Sequence, residues 1–294
     1  MGSLGRRADA ARRSELPADD PGEHVPVDAT SAPRTPRRRR PIGHGTVWLL
    51  RVLSVVAVLG AWEWYGRHTN PLLFTYPTAI AQAGAVLVRD GTLLGAMGQS
   101  LSVLAWGLGL AIVVGVGIGL AIGRSRVVEA LLEVPLDALY AVPTVALVPV
   151  IVLWVGFGPV AKVVVVFLFS VFAVVLNTAR GVREVDPQLV EVARSYLASE
   201  VGLWKDVVLP SALPFIVTGV RLAVGRALVG VVIAEFYTSI AGLGFLIVSY
   251  ANTFQTAKVF VPVVVLMALG VILTAGLQVL EGRLAPWQSR REAS

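Results

Sequence analysis

The chain has 294 residues, of which 55% are hydrophobic and only 15% charged, with a mean hydropathy of +0.74; that composition excludes an ordinary soluble domain and places the chain in a membrane. It has no cysteine, which excludes disulfides and thiolate metal sites. The formal net charge of +6 would suit nucleic acid in a soluble protein, but here much of the arginine flanks apolar runs, so it reads as topology and no nucleic-acid partner is expected.

Residues 1–45 are rich in Arg, Pro, Ala and Asp, have no periodic apolar face, and read as a disordered basic tail. The run TVWLLRVLSVVAVLGAWEWYG, 46–66, is longer than a signal-peptide core and lacks a small-x-small site after it, so it reads as a retained anchor. Trp62, Trp64 and Tyr65 at its far end suit a membrane interface. The stretch 76–98 is only moderately apolar and carries Arg89 and Asp90, which predicts a surface or interfacial helix outside the bilayer.

A spanning helix needs about 20 apolar residues to cross roughly 30 Å of hydrocarbon. Five further runs qualify: 99–123, 134–156, 160–179, 212–236 and 258–280. The sequence therefore predicts an all-α, polytopic membrane protein with about six transmembrane helices in a domain over 46–285, followed by a short tail, 286–294. With Arg37 to Arg40 in the cytoplasm, six crossings put Arg124, Arg126, the 180–206 stretch and the C-terminal GRLAPWQSRRE there too. Arg67, Arg89, Lys162 and Lys258 are left on the opposite side, so both termini are expected to be cytoplasmic.

Small residues and prolines mark the spans. Gly107, Gly109, Gly115, Gly117, Gly119 and Gly123 crowd the second span and predict close helix approach rather than a pore lining. Pro143 and Pro149 in the third span and Pro262 in the sixth are expected to bend helices or free carbonyls. The amphipathic segment 238–256 is expected on the outer side.

Between the fourth and fifth spans the chain turns abruptly polar: EVARSYLASEVGLWKDVVLP, 191–210. Leu189, Val192, Ala193 and Tyr196 recur at helical spacing, and Asp186-Pro187 reads as a cap with a first-turn proline. Gly202 then interrupts the pattern before Leu203, Trp204, Val207 and Val208 resume it. Two short helices with a bend are predicted. They form either an amphipathic pair on the lipid surface, anchored by Trp204 and Lys205, or a docking element for a cytoplasmic partner.

Glu191, Ala193 and then Leu209-Pro210, with the proline nineteen residues after the glutamate, resemble the EAA loop of permease subunits in bacterial ABC importers. The flanking segments ARSYLAS, VVLPSALPFIVTGVRLAVGRA, AEFYTSIAGLGFLI and VPTVALVPVIVLWVGFGPVAKV resemble the nitrate/sulfonate/taurine branch. The resemblance spans about 75–285 and implies the type I ABC importer permease architecture in a bacterial inner membrane. It implies that the loop 186–210 couples to a cytoplasmic ATPase through Glu191, Ala193, Arg194, Ser195, Leu197, Gly202, Leu209 and Pro210. In that reading Ala193 lets the helix enter its groove closely, Glu191 forms a charge-assisted hydrogen bond, and Pro210 stops the element. Leu197 stands where the family usually has glycine. Either a left-handed leucine there costs about 1–2 kcal/mol, or the bend has moved toward Gly202.

The resemblance also implies the partners: a cytoplasmic ABC ATPase dimer, an extracytoplasmic solute-binding protein, a second permease copy as a homodimer, and membrane lipid. ATP and Mg would be held by the ATPase and no cofactor by this chain, whose nearest approach to a phosphate loop, GFGPVAKV at 156–163, lacks the second glycine and the Ser/Thr. The chain is therefore not expected to be an enzyme; an intramembrane enzyme is further disfavoured by spans without histidine, HExxH or GxSxG.

Ionisable groups inside a span are candidates for function. Arg221, Arg226 and Glu235 in the fifth span either line a translocation path, with the arginines favouring an anion and Glu235 near the outer mouth, or pair with neighbours such as Asp137 and hold helices together. The branch implies a sulfonate, taurine or nitrate-like cargo, with a vitamin precursor or aromatic acid as the alternative. A self-sufficient secondary carrier would have no use for the 186–210 element, and no inverted repeat is visible.

Overall fold

The computed structural model describes residues 44–238 and 240–284. The expected basic tail, up to residue 43, and the C-terminal tail 286–294 lie outside the described residues, while residues 44 and 45 already belong to the first helix.

Helix α1, His44–Arg67, is exposed along Leu53–Ala61 and is bonded to the following segment in its last turns. There Trp62 Nε1 donates to the Thr75 carbonyl at 2.8 Å. Glu63 accepts from Arg67 Nε (2.7 Å), Thr78 Oγ1 (2.7 Å) and the Thr78 backbone N–H (3.1 Å). These bonds fasten α1 to the start of helix α2, Pro77–Arg89, whose first-turn proline needs no hydrogen-bond acceptor.

The single surface helix predicted over 76–98 is corrected. α2 ends at Arg89, Gly91 turns the chain at φ +79°, and helix α3, Thr92–Arg124, then runs unbroken for 33 residues. Asp90 accepts from the Thr92 backbone N–H at 2.9 Å, and that bond holds its carboxyl below the usual carboxylate range. Residues 92–98 thus belong to the spanning helix; Gly95, Gly98 and Gln99 dilute the apolar signal that marks the rest of it.

The third predicted span, 134–156, is also corrected. Helices α4, Arg126–Ala141, and α5, Thr144–Val155, meet at an angle of 96° across Val142-Pro143. A proline disfavours helical backbone at the residue before it, and Val142 is extended, at φ −72° and ψ 128°. Pro149 and Pro262 sit inside helices without such a break. The chain continues through α6, Pro159–Arg183, α7, Pro187–Ser195, and α8, Glu200–Leu203. A wide π turn over Trp204–Val208 leads into α9, Leu209–Thr238, followed by α10, Leu243–Asn252, and α11, Thr256–Leu284. Among the described residues five helices are long and apolar enough to cross a membrane, and six spans result if the bent α4/α5 pair counts as one.

α6 is the centre, sandwiched between α3 and α9. Gly107, Ala111, Gly115, Gly119 and Gly123 form one row of α3 at four-residue spacing, and its four glycines meet Val166, Val174, Thr178 and Val182 on α6. A Cβ on Gly107, Gly115 or Gly119 would stand 2.6, 2.7 or 2.5 Å from the Cβ of Val166, Val174 or Thr178. Gly109 and Gly117 face open space. On the other side of α6, a Cβ on Gly219 of α9 would lie 2.9 Å from that of Asn177. Lipid tails are as apolar as the side chains, so burial alone does not drive these helices together; close backbone approach supplies the van der Waals contact instead.

Gly115→Ala should therefore lower the melting temperature of the detergent-purified protein, overpacking costing about 1–3 kcal/mol. Gly117→Ala should be neutral or slightly stabilising, because alanine is the better helix former by about 1 kcal/mol. Equal melting of the two variants would contradict the close-packed row.

Candidate functional site

The polar stretch folds as a helical hairpin between α6 and α9. Asp186 accepts from the Gln188 backbone N–H at 2.9 Å and Pro187 occupies the first helical position, so α7 starts where its cap and proline dictate. It ends in a paired hydrogen-bond motif: the Leu197 N–H donates to the Arg194 carbonyl (2.9 Å) and the Ala198 N–H to the Ala193 carbonyl (3.1 Å). This C-cap needs a left-handed residue at its first position beyond the helix, where glycine is the usual choice. Leu197 fills it, at φ +56°. The bend therefore stays at the family's glycine position. The alternative bend at Gly202 is corrected: Gly202 lies inside α8, its N–H donating to the Oγ of the capping Ser199 at 3.1 Å.

Pro210 does not stop the element. α8, the π turn and α9 form one continuous helix, Glu200–Thr238. A proline at 210 has no N–H, and in a regular helix its ring would press on the carbonyl four residues back, at Asp206. The Leu209 N–H reaches instead to the Trp204 carbonyl, five residues back, and this wider turn is placed just ahead of the proline.

One face of the hairpin packs inward. Leu203, Val208 and the half-buried Ala193 and Trp204 meet Val182 of α6 and Ala212 of α9. The small side chain of Ala193 thus serves the approach of α7 to the chain's own α8 and π turn. The other face projects: Leu189, Val192, Tyr196, Leu197 and Val201 are exposed, Tyr196 at 85% and Leu197 at 92%. Glu191, Arg194 and Ser195 are exposed beside them, Ser195 Oγ donating to the Glu191 carbonyl at 3.0 Å. Glu191 lines a cleft of about 730 Å3 with Arg124, Arg194, Glu200 and Trp204. In it Arg194 Nη2 lies 3.9 Å from Glu200 Oε1, and the Arg124 guanidinium sits 5.3 Å over the Trp204 ring.

Of the charged residues in the fifth predicted span, Arg221 is half-buried and Arg226 exposed. Arg226 Nη2 donates to Tyr140 Oη at 3.1 Å and its guanidinium lies 5.4 Å from that ring's centre, which sets it beside the 96° break. Asp137, named as a possible acid for these arginines, is exposed in a recess between α4 and α6, near the 2.7 Å ion pair of Arg183 with Glu129. Glu235, expected near an outer mouth, is fully buried. It accepts from Ser100 Oγ and from the Gly244 N–H, both at 2.7 Å. Sequence reading missed its surroundings: Ser100, and Lys162, which is 6% exposed and donates to the Ala241 carbonyl at 2.8 Å. The signal was present as Gly242-x-Gly244 following the acid, two positions small enough to admit a carboxylate.

The family described as binding-protein-dependent transport system inner membrane component matches residues 107–286. The chain is 30% identical to the putative aliphatic sulfonates transport permease protein SsuC of Bacillus subtilis (strain 168), covering 94% of this chain and 99% of that one. It is 30% identical to the taurine transport system permease protein TauC of Escherichia coli (strain K12), covering 74% and 81%. It is 31% identical to the formylaminopyrimidine transport permease protein ThiX of Halalkalibacterium halodurans, covering 81% and 96%. Its fold matches a chain of the MetNI methionine ABC transporter in an inward facing conformation, with a TM-score of 0.53 at 19% identity over 68% of this chain and 94% of that one. With that helical architecture and these relatives, the chain belongs to the family of binding-protein-dependent inner-membrane components, as an ABC importer permease of the sulfonate/taurine branch.

Proposed function

We propose that this chain forms, as a homodimer, the membrane pathway of an ATP-driven importer for a small sulfonate such as taurine or an alkanesulfonate. A cytoplasmic ATPase dimer, which holds ATP and Mg, seats on the hairpin 186–210, and an extracytoplasmic solute-binding protein delivers the cargo. Both termini are cytoplasmic in this reading, because that places the arginine-rich connections on the hairpin's side.

The observation that carries the reading is the projecting face of the hairpin. Leu197 holds a left-handed backbone that disfavours a side chain, yet that side chain is 92% exposed. Strain kept at a site left this open by the described residues points to a partner. With Tyr196, Leu189, Val192 and Val201 it makes an apolar ridge flanked by Glu191 and Arg194, a composition suited to insertion in a groove with a polar rim.

Arg226 supports the anionic cargo. It is exposed 12 residues before the end of α9 at Thr238, about 18 Å along the helix. The Tyr140 that it contacts adjoins the break at Val142-Pro143, where backbone carbonyls lose their helical partners. An exposed cation and opened backbone at membrane depth require protein or water, so this face of α4 and α9 turns toward the second copy and the aqueous path between them. There a guanidinium offers a sulfonate paired, charge-assisted hydrogen bonds. The likeness to ThiX favours a second reading, a vitamin precursor as cargo, in which Arg226 would have no anion to attract.

Leu197→Gly should change folding stability by less than about 1 kcal/mol, relief of the left-handed strain being offset by the entropy of glycine. The same variant should weaken ATPase binding at least about tenfold, as loss of a central anchor does; undiminished binding would refute the ridge. Cells lacking this gene should fail to take up one of labelled taurine or an alkanesulfonate, and Arg226→Gln at normal abundance should restore that uptake to no more than about a tenth. Full restoration would remove Arg226 from the path, and unimpaired sulfonate uptake in the deletion strain would favour the vitamin-precursor reading.

A further inference from the structure

Glu235 lies one turn before the end of α9, and its carboxylate takes two hydrogen bonds that reach beyond that helix. Oε1 accepts from Ser100 Oγ of α3 and Oε2 from the Gly244 backbone N–H, both at 2.7 Å. Ser100 Oγ in turn accepts from the Leu243 N–H at 2.8 Å. Those two N–H groups are the first two of α10, whose own capping residue, Gly242, has no side chain to offer them. The first turn of α10 is therefore capped by α9 and α3 rather than by its own capping residue, with carboxyl oxygens at the positive end of its dipole.

The fit leaves no slack. A Cβ on Gly244 would stand 2.8 Å from the Glu235 Cβ, and one on Gly242, at φ +112°, would run into the carboxylate itself. Lys162 of α6 donates to the Ala241 carbonyl at 2.8 Å. Each of the three central helices thus sends one buried polar side chain to the segment Ala241–Gly244.

The other end of α9 is the coupling hairpin. Glu200–Thr238 is one helix of 39 residues, ~58 Å long at 1.5 Å per residue, with α8 at one end and Glu235 at the other. We propose that Glu235 is a positioning residue for transport: it clamps α10 to the far end of this rod, so that displacement of the hairpin by the ATPase is delivered to α10 at the opposite end. The proposal rests on the permease reading. A helix resists compression and bending far better than a loop, and the clamp ties the rod directly to the first turn of α10. The carboxylate's part is to accept from two elements at once. An amide of the same shape presents one acceptor and one donor, so one of the two donors facing it goes unmatched.

The absence of native cysteine permits a direct test. Ala251 is exposed near the end of α10. Ala251→Cys, in membranes containing the permease with its copurifying ATPase, is labelled with a membrane-impermeant maleimide, without nucleotide and with ATP plus vanadate. The labelling rate should differ at least about fivefold between the two conditions, and with Glu235→Gln added the difference should fall below about twofold, while the complex still hydrolyses ATP. If Glu235→Gln fails to accumulate, Ser100→Ala serves in its place; it keeps the carboxylate's bond to Gly244, and the difference should shrink to an intermediate value. A full nucleotide-dependent difference in either clamp variant overturns the proposal, as does an ATP-hydrolysing complex with intact Glu235 that shows no difference. Failure to recover any bound ATPase would instead sink the permease reading.

Discussion

The structure depends on the contact between α6 and the two helices that enclose it. In lipid, apolar side chains gain little by leaving one hydrocarbon environment for another, so helices hold together only where their backbones come close enough for dense contact. The row Gly107, Ala111, Gly115, Gly119 and Gly123 provides this on α3, and Gly219 and Gly230 provide it on α9. Once α3, α6 and α9 are locked, their ends are fixed. One end of the sandwich holds the hairpin 186–210 and the other holds the buried group of Ser100, Lys162 and Glu235 around the start of α10.

That arrangement separates rigid from exposed parts along the chain. α9 needs no hinge between the hairpin and α10, because the wide turn at Trp204–Val208 accommodates Pro210 without ending the helix. The break falls instead at Val142-Pro143, between α4 and α5, where Tyr140 and Arg226 meet. The charges sort the same way. Glu235 and Lys162 are buried among hydrogen-bonding groups and hold elements together, whereas Arg226 keeps its guanidinium exposed. Burial and partners, not the mere presence of charge in an apolar run, distinguish a joint from a contact surface.

Much of this was legible in the sequence. Hydropathy located the spanning helices, the four-residue recurrence of glycine marked the close-packed face, and Asp186-Pro187 marked the start of the hairpin. Two errors came from treating hydropathy as continuity. Arg89 and Asp90, followed by Gly95 and Gly98, made the first turns of α3 look peripheral, and an apolar run hid the 96° break that Pro143 imposes on Val142. Pro210 misled in the opposite sense, since a proline signals a stop only where the helix cannot widen ahead of it. Of the partners of Glu235, Gly244 was hinted at by the small residues that follow the acid, whereas Ser100 lies 135 residues away and nothing local announces that pairing. Ala193 was legible as a residue that must be small, but not as one facing its own chain.

If a nucleotide-hydrolysing partner seats on the projecting ridge of the hairpin, a photo-crosslinking amino acid placed at position 197 in living cells will reach it. A single major adduct with an ATPase subunit is expected, diminished when the cross-linker is moved to the inward-facing position 193. Adducts with lipid alone, or equal adducts from both positions, would contradict it.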